Sequence, residues 1–250
     1  MANFPPLKNC IFYYLNQMIK RYNIQGPFLD VGCGKGDVSR FLAKKGWGGK
    51  AIDFSEGAIE DARAQLYGIE SVSVAHQSVM EESGKYASVF MLDVLEHIEE
   101  DEPVLAKIHS VLRDQGLLIL TLPSNPPEWR WDDEFYGHFR RYTKPEIKSK
   151  LLKASFRTIC IWDFTFPFFW VMRRAYTFLK KAPAAQNDTP IERTKKSTRQ
   201  DAWSFPLLGV FLSKYFPIWP LIYWMQFYIF RRHVNQGHEM MVLAQKCQIQ

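Results

Sequence analysis

A glycine-rich stretch at residues 28–42, FLDVGCGKGDVSRFL, places Gly32, Gly34 and Gly36 at alternate positions between an apolar run and a helix-like pattern. Glycines at such a turn let the backbone approach a ligand closely, and a following helix presents free amide groups. A glycine-rich turn can also be a purely structural connection. A second residue supports the ligand-binding interpretation: Asp53 ends the next apolar run, where a carboxylate can accept hydrogen bonds from both hydroxyls of a ribose.

The spacing of the glycines separates two kinds of nucleotide ligand. Dinucleotide-binding turns follow the pattern G-x-G-x-x-G, whose third glycine would fall where this chain has Asp37. The pattern here is G-x-G-x-G, which favours S-adenosylmethionine, a ligand that needs a ribose contact but carries no pyrophosphate. The alternative for Asp53 is an acid that merely begins a helix.

Two histidines lie where a general base would be useful. His97 follows an apolar run at 86–94, and the carboxyl ends of such strands face the ligand crevice of an open α/β sheet. His138 lies in the stretch 128–147, EWRWDDEFYGHFRRYTKPEI. Since the ordinary pKa of imidazole is close to neutrality, either ring could take a proton from a hydroxyl acceptor. The alternative for His97 is a residue that begins a helix and only closes the cofactor pocket.

The stretch 128–147 carries more bulky rings and cations than a solvated connector needs, which indicates a loop that covers an acceptor. We expect four of its side chains to contact the substrate: Trp131, Tyr136, Arg140 and Arg141. The two arginines could pair with a phosphate or carboxylate of that substrate. A structural salt bridge to Asp132 or Asp133 is an equal alternative.

The elements that would position these candidate residues are predicted from a regular alternation of short apolar runs and helical patterns. Strands are predicted at 27–31, 49–54, 71–76, 86–94, 116–123, 156–164 and 238–246. Helices are predicted at 7–22, 37–46, 55–68, 100–116 and 144–154. We expect Ser55 to cap the third helix and Gly116 to end the fourth. The fold class is therefore α/β, with right-handed crossovers and a parallel sheet covered on both faces.

The alternation breaks between the last two strands. The stretch 165–237 contains 11 Lys or Arg against 3 Asp or Glu, and 17 of the chain's 38 aromatic residues. This composition predicts an inserted aromatic and basic helical cap, with a polar and mobile centre at 180–201. The core domain is then formed by residues 1–164 together with 238–250.

One part of this insertion is as apolar as a membrane segment. From 202 to 230 the only charged residue is Lys214, but Pro217 and Pro220 divide the run into pieces too short for a transmembrane helix. We expect a re-entrant or interfacial helical pair, with Trp and Tyr in the headgroup zone and cations facing anionic lipid. The flanking cations are Arg173, Arg174, Lys180, Lys181, Arg231 and Arg232. The alternative is a buried helical cap or a dimer interface, which would also provide a pocket for an apolar substrate.

Four motifs in order carry a resemblance to a known family. They are LDVGCGKG at 29–36, AIDFS at 51–55, VFMLDVLEHI at 89–98 and VLAKIHSVLRDQGLLILTLPS at 104–124. With them the chain resembles the class I S-adenosylmethionine-dependent methyltransferases, especially the group that includes ubiquinone-biosynthesis methyltransferases. The resemblance covers residues 25–164 and the last strand. It implies a seven-stranded, mostly parallel Rossmann-like sheet, with the aromatic insertion before the last strand, and S-adenosylmethionine as the cofactor.

Carried over residue by residue, the family pattern assigns the cofactor contacts. The implied cofactor-binding residues are Asp30, Gly32, Cys33, Gly34, Asp53, Phe54, Gln77, Ser78, Asp93 and Val94. The glycine turn would surround the methionine moiety, and the acid and ring that end the second strand would contact ribose and adenine. The backbone after the fourth strand would hold the methionyl amino group. The chain departs from the pattern after the third strand, where an acid often contacts the adenine amino group and Gln77 or Ser78 stands instead.

The composition also indicates where in the cell the protein is located and which partners it binds. The four cysteines match no metal-binding or disulfide spacing, and residues 1–10 show no charged segment followed by an apolar one. We therefore expect a cytoplasmic protein that also contacts the cytoplasmic face of the membrane. Nucleic acid is not an expected partner, because the aromatic residues form continuous apolar runs instead of stacking platforms. The oligomeric state is left open.

These observations predict an enzyme that transfers a methyl group from S-adenosylmethionine to a hydrophobic or lipid-linked small molecule, preferably at oxygen. Methyl transfer from a sulfonium requires no metal ion and no covalent intermediate, so no metal site is expected. Two alternatives stay open: a C- or N-methyltransferase of a soluble aromatic metabolite, and a membrane-peripheral scaffold that binds the cofactor without turnover.

Overall fold

The computed structural model describes residues 6–180, 188–197, 218–233 and 235–247. Its strands are β1 (Phe28–Val31), β2 (Gly49–Asp53), β3 (Val72–His76), β4 (Tyr86–Leu92), β5 (Leu112–Pro123), β6 (Phe156–Asp163) and β7 (Glu239–Lys246). They form one seven-stranded sheet in the order β3-β2-β1-β4-β5-β7-β6. The neighbouring strands from β3 to β5 pair in parallel, and β7 pairs antiparallel with both β5 and β6. The predicted seven-stranded, mostly parallel Rossmann-like sheet is confirmed.

Nine helices surround this sheet in the part of the chain that the structure describes. They are α1 (Pro6–Tyr22), α2 (Asp37–Ala43), α3 (Glu56–Gln65), α4 (Asp101–Val111), α5 (Trp131–Tyr136), α6 (Lys144–Lys153), α7 (Phe168–Leu179), α8 (Pro190–Ser197) and α9 (Ile218–Met225). Side chains alternate between the two faces of a strand, so Phe90 packs with α1 and α3, whereas Val89 and Met91 pack with α4 and α6. The helices therefore bury both faces of the sheet.

The predicted boundary between the fourth helix and the fifth strand is wrong. Helix α4 ends at Val111, and β5 begins directly at Leu112, which pairs with Tyr86. The pairing then shifts register before Leu117, and Gln115 has a positive φ of 58°. The adjacent Gly116 thus belongs to a strand irregularity and not to a helix end. Ser55 does precede α3, although its side chain makes no capping hydrogen bond.

One part of the inserted stretch that the composition predicts to be mobile is helical in the structure. Part of its polar centre forms α8, because the hydroxyl of Thr189 accepts a hydrogen bond from the Glu192 amide and the Glu192 carboxylate accepts one from the Thr189 amide. Residues 181–187 and 198–217, including Lys181, Lys214 and Pro217, lie outside the described residues. Among the helices that the structure describes, none is long and apolar enough to cross a membrane.

Helix α9 has one buried and one exposed apolar face. Trp219 and Tyr223 pack against α1, and the Tyr223 hydroxyl donates a hydrogen bond to the carbonyl of Pro6 at 3.0 Å. Pro220 lies in the first turn, where a missing amide costs no helical hydrogen bond. The exposed apolar side chains of α9 and the π-helical turn that follows it are Ile218, Leu221, Trp224, Tyr228 and Ile229. In the described part of this run, the buried face fits the alternative of a helical cap, and the interfacial helix stays a prediction.

Candidate functional site

The glycine turn after β1 lies directly against the loop after β4. Gly32, Gly34 and Gly36 have φ values of 66°, 52° and 81°, a region that side chains other than glycine rarely adopt. A Cβ atom at Gly32 would lie 2.5 Å from Cγ2 of Val94. Only glycine therefore allows the two predicted cofactor loops to approach this closely.

Asp53 joins three loops at the carboxyl edge of the sheet. Its Oδ2 accepts a hydrogen bond from the Gly34 amide at 3.0 Å, and its Oδ1 accepts one from the Ser55 amide at 2.8 Å. The Asp53 carbonyl accepts a further bond from the Gln77 amide at 3.1 Å. Desolvation raises the pKa of the Asp53 carboxyl, which these backbone donors partly offset. A carboxylate offers about four lone-pair sites, so Asp53 keeps acceptor capacity that a ribose hydroxyl could use.

Asp30 is buried beneath the glycine turn and positions the helix that follows. Its Oδ2 accepts hydrogen bonds from the Ser39 amide at 3.1 Å and from the Ser39 hydroxyl at 2.6 Å. Burial raises the pKa of Asp30 to about 7, against the effect of these donors. Cys33 is anchored by its amide, which donates to the carbonyl of Ile52 at 3.0 Å. Both residues thus fix the shape of the turn.

The residues on the predicted adenine side differ in whether their side chains are exposed or already form hydrogen bonds within the protein. The Phe54 ring is 44% exposed. The Gln77 side chain accepts a bond from Lys50 at 3.0 Å and donates one to Glu82 at 2.9 Å. The Ser78 hydroxyl accepts a bond from the Met80 amide and so caps a short helical turn. The Gln77 amide thus donates a hydrogen bond to the Asp53 carbonyl, and the side chains of Gln77 and Ser78 already form hydrogen bonds within the protein.

Asp93 follows β4 with a φ of 56°, a strained conformation for a residue with a side chain. The hydroxyl of the buried Thr121 donates to its Oδ1 at 2.6 Å, and the Asp93 amide donates to the Thr121 carbonyl at 3.2 Å. Desolvation raises the pKa of the Asp93 carboxyl, and His138 is close enough to oppose that shift. The predicted cofactor side and the predicted acceptor side therefore meet at Asp93.

The two candidate bases are brought together. The ring centroids of His97 and His138 lie 4.8 Å apart, in an edge-to-face arrangement. Glu96 lies beside them, fully buried, and its Oε2 has no hydrogen-bond partner among the described residues. One ligand atom from each of these three residues lies within 4.8 Å of the others, a spacing that could hold a metal ion. The sequence predicted no metal site, and that absence stays a prediction.

His138 has the surroundings of a general base. Its Nδ1 lies 2.9 Å from Oδ1 of the buried Asp133. Asp133 also pairs with Arg141 at 2.7 Å and with Arg173 at 2.8 Å. Burial alone would raise the pKa of Asp133, but the hydrogen bond from His138 and the two guanidinium charges hold it well below its usual range. Asp133 is therefore ionised near neutrality and accepts a hydrogen bond from His138 Nδ1, which leaves Nε2 as the acceptor nitrogen whenever the ring is neutral.

His97 has the opposite character. Burial, and next the charge of His138, lower the pKa of His97 to about 3. Its Nδ1 lies 3.1 Å from the hydroxyl of Thr194 on α8. Gly137 allows this helix to approach, since a Cβ atom there would lie 2.3 Å from the carbonyl oxygen of Pro190. His97 is thus a neutral ring held beneath α8.

The predicted substrate-binding arginines are held by internal partners. Arg140 pairs with Asp101 at 3.2 Å. Arg141 is 5% exposed and donates to the carbonyls of Ser124 and His238 as well as pairing with Asp133. The structural salt bridge that was the alternative for Arg141 is therefore present. The geometry favours a positioning role over direct substrate contact.

The two predicted aromatic contacts lie on α5. The Trp131 indole donates to the carbonyl of Thr177 on α7 at 3.0 Å, so it anchors α5 to the insertion. The Tyr136 ring lies 6.1 Å from that of His138 in a stacked arrangement. Of the two, only Tyr136 adjoins a candidate base.

The expectation that Arg173 faces anionic lipid is wrong. Arg173 is 3% exposed and forms ion pairs with Asp132 and Asp133. The neighbouring Arg174 pairs with Glu128 and stacks over Trp170. Both cations of α7 are used to bind the insertion to the loop after β5, because a buried carboxylate needs a cationic partner.

Sequence reasoning did not identify Thr194, Thr121 or Arg173 as site residues. Nothing in their local sequence marks them, since each reaches the site through packing between distant elements. The pair Asp132 and Asp133, five positions before a histidine, was a usable signal for a carboxylate that orients His138. It was interpreted only as a partner for the arginines.

Comparisons with known proteins agree with this arrangement. A family model described as a methyltransferase domain matches residues 13–161. The ubiquinone biosynthesis O-methyltransferase of Marinobacter nauticus is 32% identical over 136 residues, which are 50% of this chain and 56% of that protein. The chain thus spans little more than half the length of this curated relative.

Two solved structures share the fold. A putative sarcosine dimethylglycine methyltransferase from Galdieria sulphuraria has a TM-score of 0.60 at 14% identity, covering 96% of this chain and 86% of that one. The magnesium protoporphyrin IX methyltransferase of Synechocystis PCC 6803, solved with bound SAH, has a TM-score of 0.55 at 15% identity, covering 96% and 83%. The sheet order, the glycine turn with Asp53 and the family match together show that the chain belongs to the methyltransferase domain family, as a class I S-adenosylmethionine-dependent methyltransferase.

Proposed function

We propose that this protein transfers a methyl group from S-adenosylmethionine to a hydroxyl oxygen of a hydrophobic, quinone-type acceptor. The observation that carries the proposal is the pair of Asp133 and His138, which presents a free imidazole nitrogen beside the predicted cofactor loops. The similarity to a ubiquinone biosynthesis O-methyltransferase supports transfer to oxygen.

The residues at the carboxyl edge of β1, β2 and β4 fit the cofactor. We assign the ribose hydroxyls to Asp53, whose carboxylate is held by the Gly34 amide, and the adenine ring to the exposed face of Phe54. The glycine turn and the backbone at Asp93 and Val94 would surround the methionine moiety. When bound, S-adenosylmethionine supplies an activated methyl group on its sulfonium and is left as S-adenosylhomocysteine.

His138 takes the proton that the acceptor hydroxyl releases. The ionised Asp133 holds the Nδ1 proton, so Nε2 accepts the new one and the resulting imidazolium is stabilised by the same carboxylate. Arg141 and Arg173 keep Asp133 in place. His97, with its pKa lowered to about 3, stays neutral and helps to close the pocket.

An apolar acceptor is supported by the similarity to a ubiquinone biosynthesis O-methyltransferase and by the exposed apolar face of α9. Tyr136 and α8 lie over this part of the site, and α9 exposes Leu221 and Trp224 on its outer face. We assign the cap function to residues 165–237 and peripheral contact with the cytoplasmic membrane face to the outer face of α9. Trp and Tyr side chains favour the interface between lipid and water, which supports this contact.

The test uses the purified protein, S-adenosylmethionine carrying a ¹³C-labelled methyl group, and a total lipid extract as the source of acceptor. The ¹³C chemical shift of the product separates O-methyl from N- and C-methyl groups. We expect an O-methyl product that is lost in the variant His138→Gln, while S-adenosylhomocysteine binding is unchanged in calorimetry. A C- or N-methyl product, or full activity of His138→Gln, would contradict the assignment.

A further inference from the structure

A second concave site lies at the far edge of the sheet. It is a cleft of about 310 Å³ on the outer side of β6, opposite the side that pairs with β7. Its floor is the strand segment 158–162, and its walls come from the end of α1, the first half of α6 and the two residues after the π-helical turn. None of the residues assigned to methyl transfer lines it.

The walls of this cleft are strongly basic. Five cations line it: Arg21, Lys144, Lys148, Arg231 and Arg232. No acidic residue is among the described residues that line it. Within the described parts of the chain, no carboxylate pairs with any of the five, whereas the neighbouring Lys150 and Lys153 on α6 pair with Asp101 and Glu102. The positive charge of the cleft is therefore not neutralised by any carboxylate of the described residues.

Arg231 shows how the cleft is built. Its guanidinium donates to the carbonyl of Phe227 at 2.6 Å and lies 4.5 Å from the centre of the Phe227 ring. Its backbone carbonyl accepts a bond from the amide of Asp163 at the end of β6. The segment that carries Arg231 and Arg232 is thus fixed to the strand that forms the floor.

The floor itself adds hydrogen-bonding groups. Because β6 is the edge strand of the described sheet, backbone groups on its outer side face no further strand among the described residues, and sheet edges of this kind form anion-binding concavities. We propose that this cleft binds a phosphate group, carried either by a membrane lipid or by a soluble phosphate ester. A phosphate carries one negative charge as a diester and nearly two as a monoester, and it offers several acceptor oxygens to convergent arginines and lysines.

Protection of the strand edge is the competing explanation, since charges on an edge strand prevent pairing with another chain. Such protection places charged side chains on the strand itself. Here the strand residues that line the cleft, Thr158 to Trp162, are uncharged, and every cation comes from another element. The convergence of three elements on one hollow favours a ligand site over edge protection.

The test compares two double variants that each lose one arginine and one lysine. Lys148→Gln with Arg232→Gln removes charge from opposite walls of the cleft. Lys153→Gln with Arg113→Gln removes the same charge from exposed positions that do not line it. Calorimetry with inorganic phosphate and with glycerol phosphate measures soluble ligands. Flotation with phosphatidylcholine vesicles, with and without phosphatidylglycerol, measures the lipid source.

We expect the wild-type protein to bind at least one of these probes, and the cleft variant to lose about tenfold in affinity while the control variant binds normally. Binding of the soluble probes identifies a phosphate ester, and binding only of the phosphatidylglycerol vesicles identifies a lipid headgroup. Equal losses in both variants, no binding by the wild type, or self-association of the cleft variant with unchanged binding would overturn the proposal. None of these readouts depends on methyl transfer, so the two proposals fail separately.

Discussion

The substitution Gly32→Ala tests the contact between the two cofactor loops. The new Cβ atom would lie 2.5 Å from Cγ2 and 3.1 Å from Cγ1 of Val94, where ordinary contacts begin near 3.4 Å. It would also impose a side chain on a backbone with a φ of 66°. The change therefore combines backbone strain with a displacement of the loop after β4.

The two effects can be separated by their magnitudes. A left-handed backbone costs a residue with a side chain about 1–2 kcal/mol, which in a protein of this size lowers Tm by about 2–8 °C. Gly68→Ala supplies the matched control, because Gly68 has a φ of 78° and nothing within 4 Å of its would-be Cβ atom. Moving Val94 costs about 1–3 kcal/mol more. Since that movement occurs at the proposed methionine contact, we expect affinity for S-adenosylhomocysteine to fall about tenfold or more.

Calorimetry with S-adenosylhomocysteine and thermal unfolding measure both quantities on the same samples. Both alanine variants should lose thermal stability, but only Gly32→Ala should lose affinity. The double variant Gly32→Ala with Val94→Ala removes the clash and should recover most of the affinity. Equal affinities for the two single variants, or no recovery in the double variant, would refute the idea that this close approach shapes the cofactor site.

Three further predictions concern the buried charges. His138→Gln should lower the methylation rate about 10²–10⁴-fold. His97→Gln should lower it less than about tenfold, because a ring with a pKa near 3 is too weak a base to take the acceptor's proton at neutral pH; single-turnover rates compare the two variants. Because the pKa of Asp30 is raised to about 7, its folded carboxyl keeps a proton that the unfolded chain releases near pH 4. Stability should therefore fall as pH rises from 4 to 7, and urea unfolding of Asp30→Asn should show a shallower fall. Arg173→Gln should lower the free energy of unfolding by about 3–5 kcal/mol, since it removes the bidentate partner of the buried Asp132 and one of the two guanidinium partners of Asp133. The more exposed Arg174→Gln should lower it by about 1 kcal/mol or less in the same assay.

Most of the sheet could be predicted from sequence because its signals are local. Six of the seven strands begin within one residue of their predicted positions, since each is a short apolar run between polar residues. The exception is β5, where Leu112 to Gln115 look helical but belong to the strand, and Leu112 pairs with Tyr86 of β4. Pairing with a distant strand makes this segment extended, and no pattern in the local sequence predicts that pairing. Helix α8 was missed for a related reason, because polar composition concealed a capping box at Thr189.

The candidate site was only partly predictable. The glycines and Asp53 form a motif at fixed spacing, and the structure joins them directly through the Gly34 amide. His97 and His138 were both identified, but their difference in character depends on Asp133 and on the depth of burial. Burial and ion pairing come from tertiary packing, which a list of residue types does not contain. A sequence can therefore propose two bases, whereas the structure is needed to choose between them.

The insertion and the core share one site, which limits how far they can be treated as separate domains. Arg173 of α7 forms an ion pair with Asp133, the partner of His138, and Thr194 of α8 contacts His97. The insertion therefore contributes one residue to the surroundings of each histidine. The proposed cofactor contacts, in contrast, all come from the loops after β1 to β4. An exchange of the insertion would thus remove a buried cation from Asp133 while leaving the glycine turn intact. We expect acceptor selectivity to follow the insertion, and cofactor binding to follow the core.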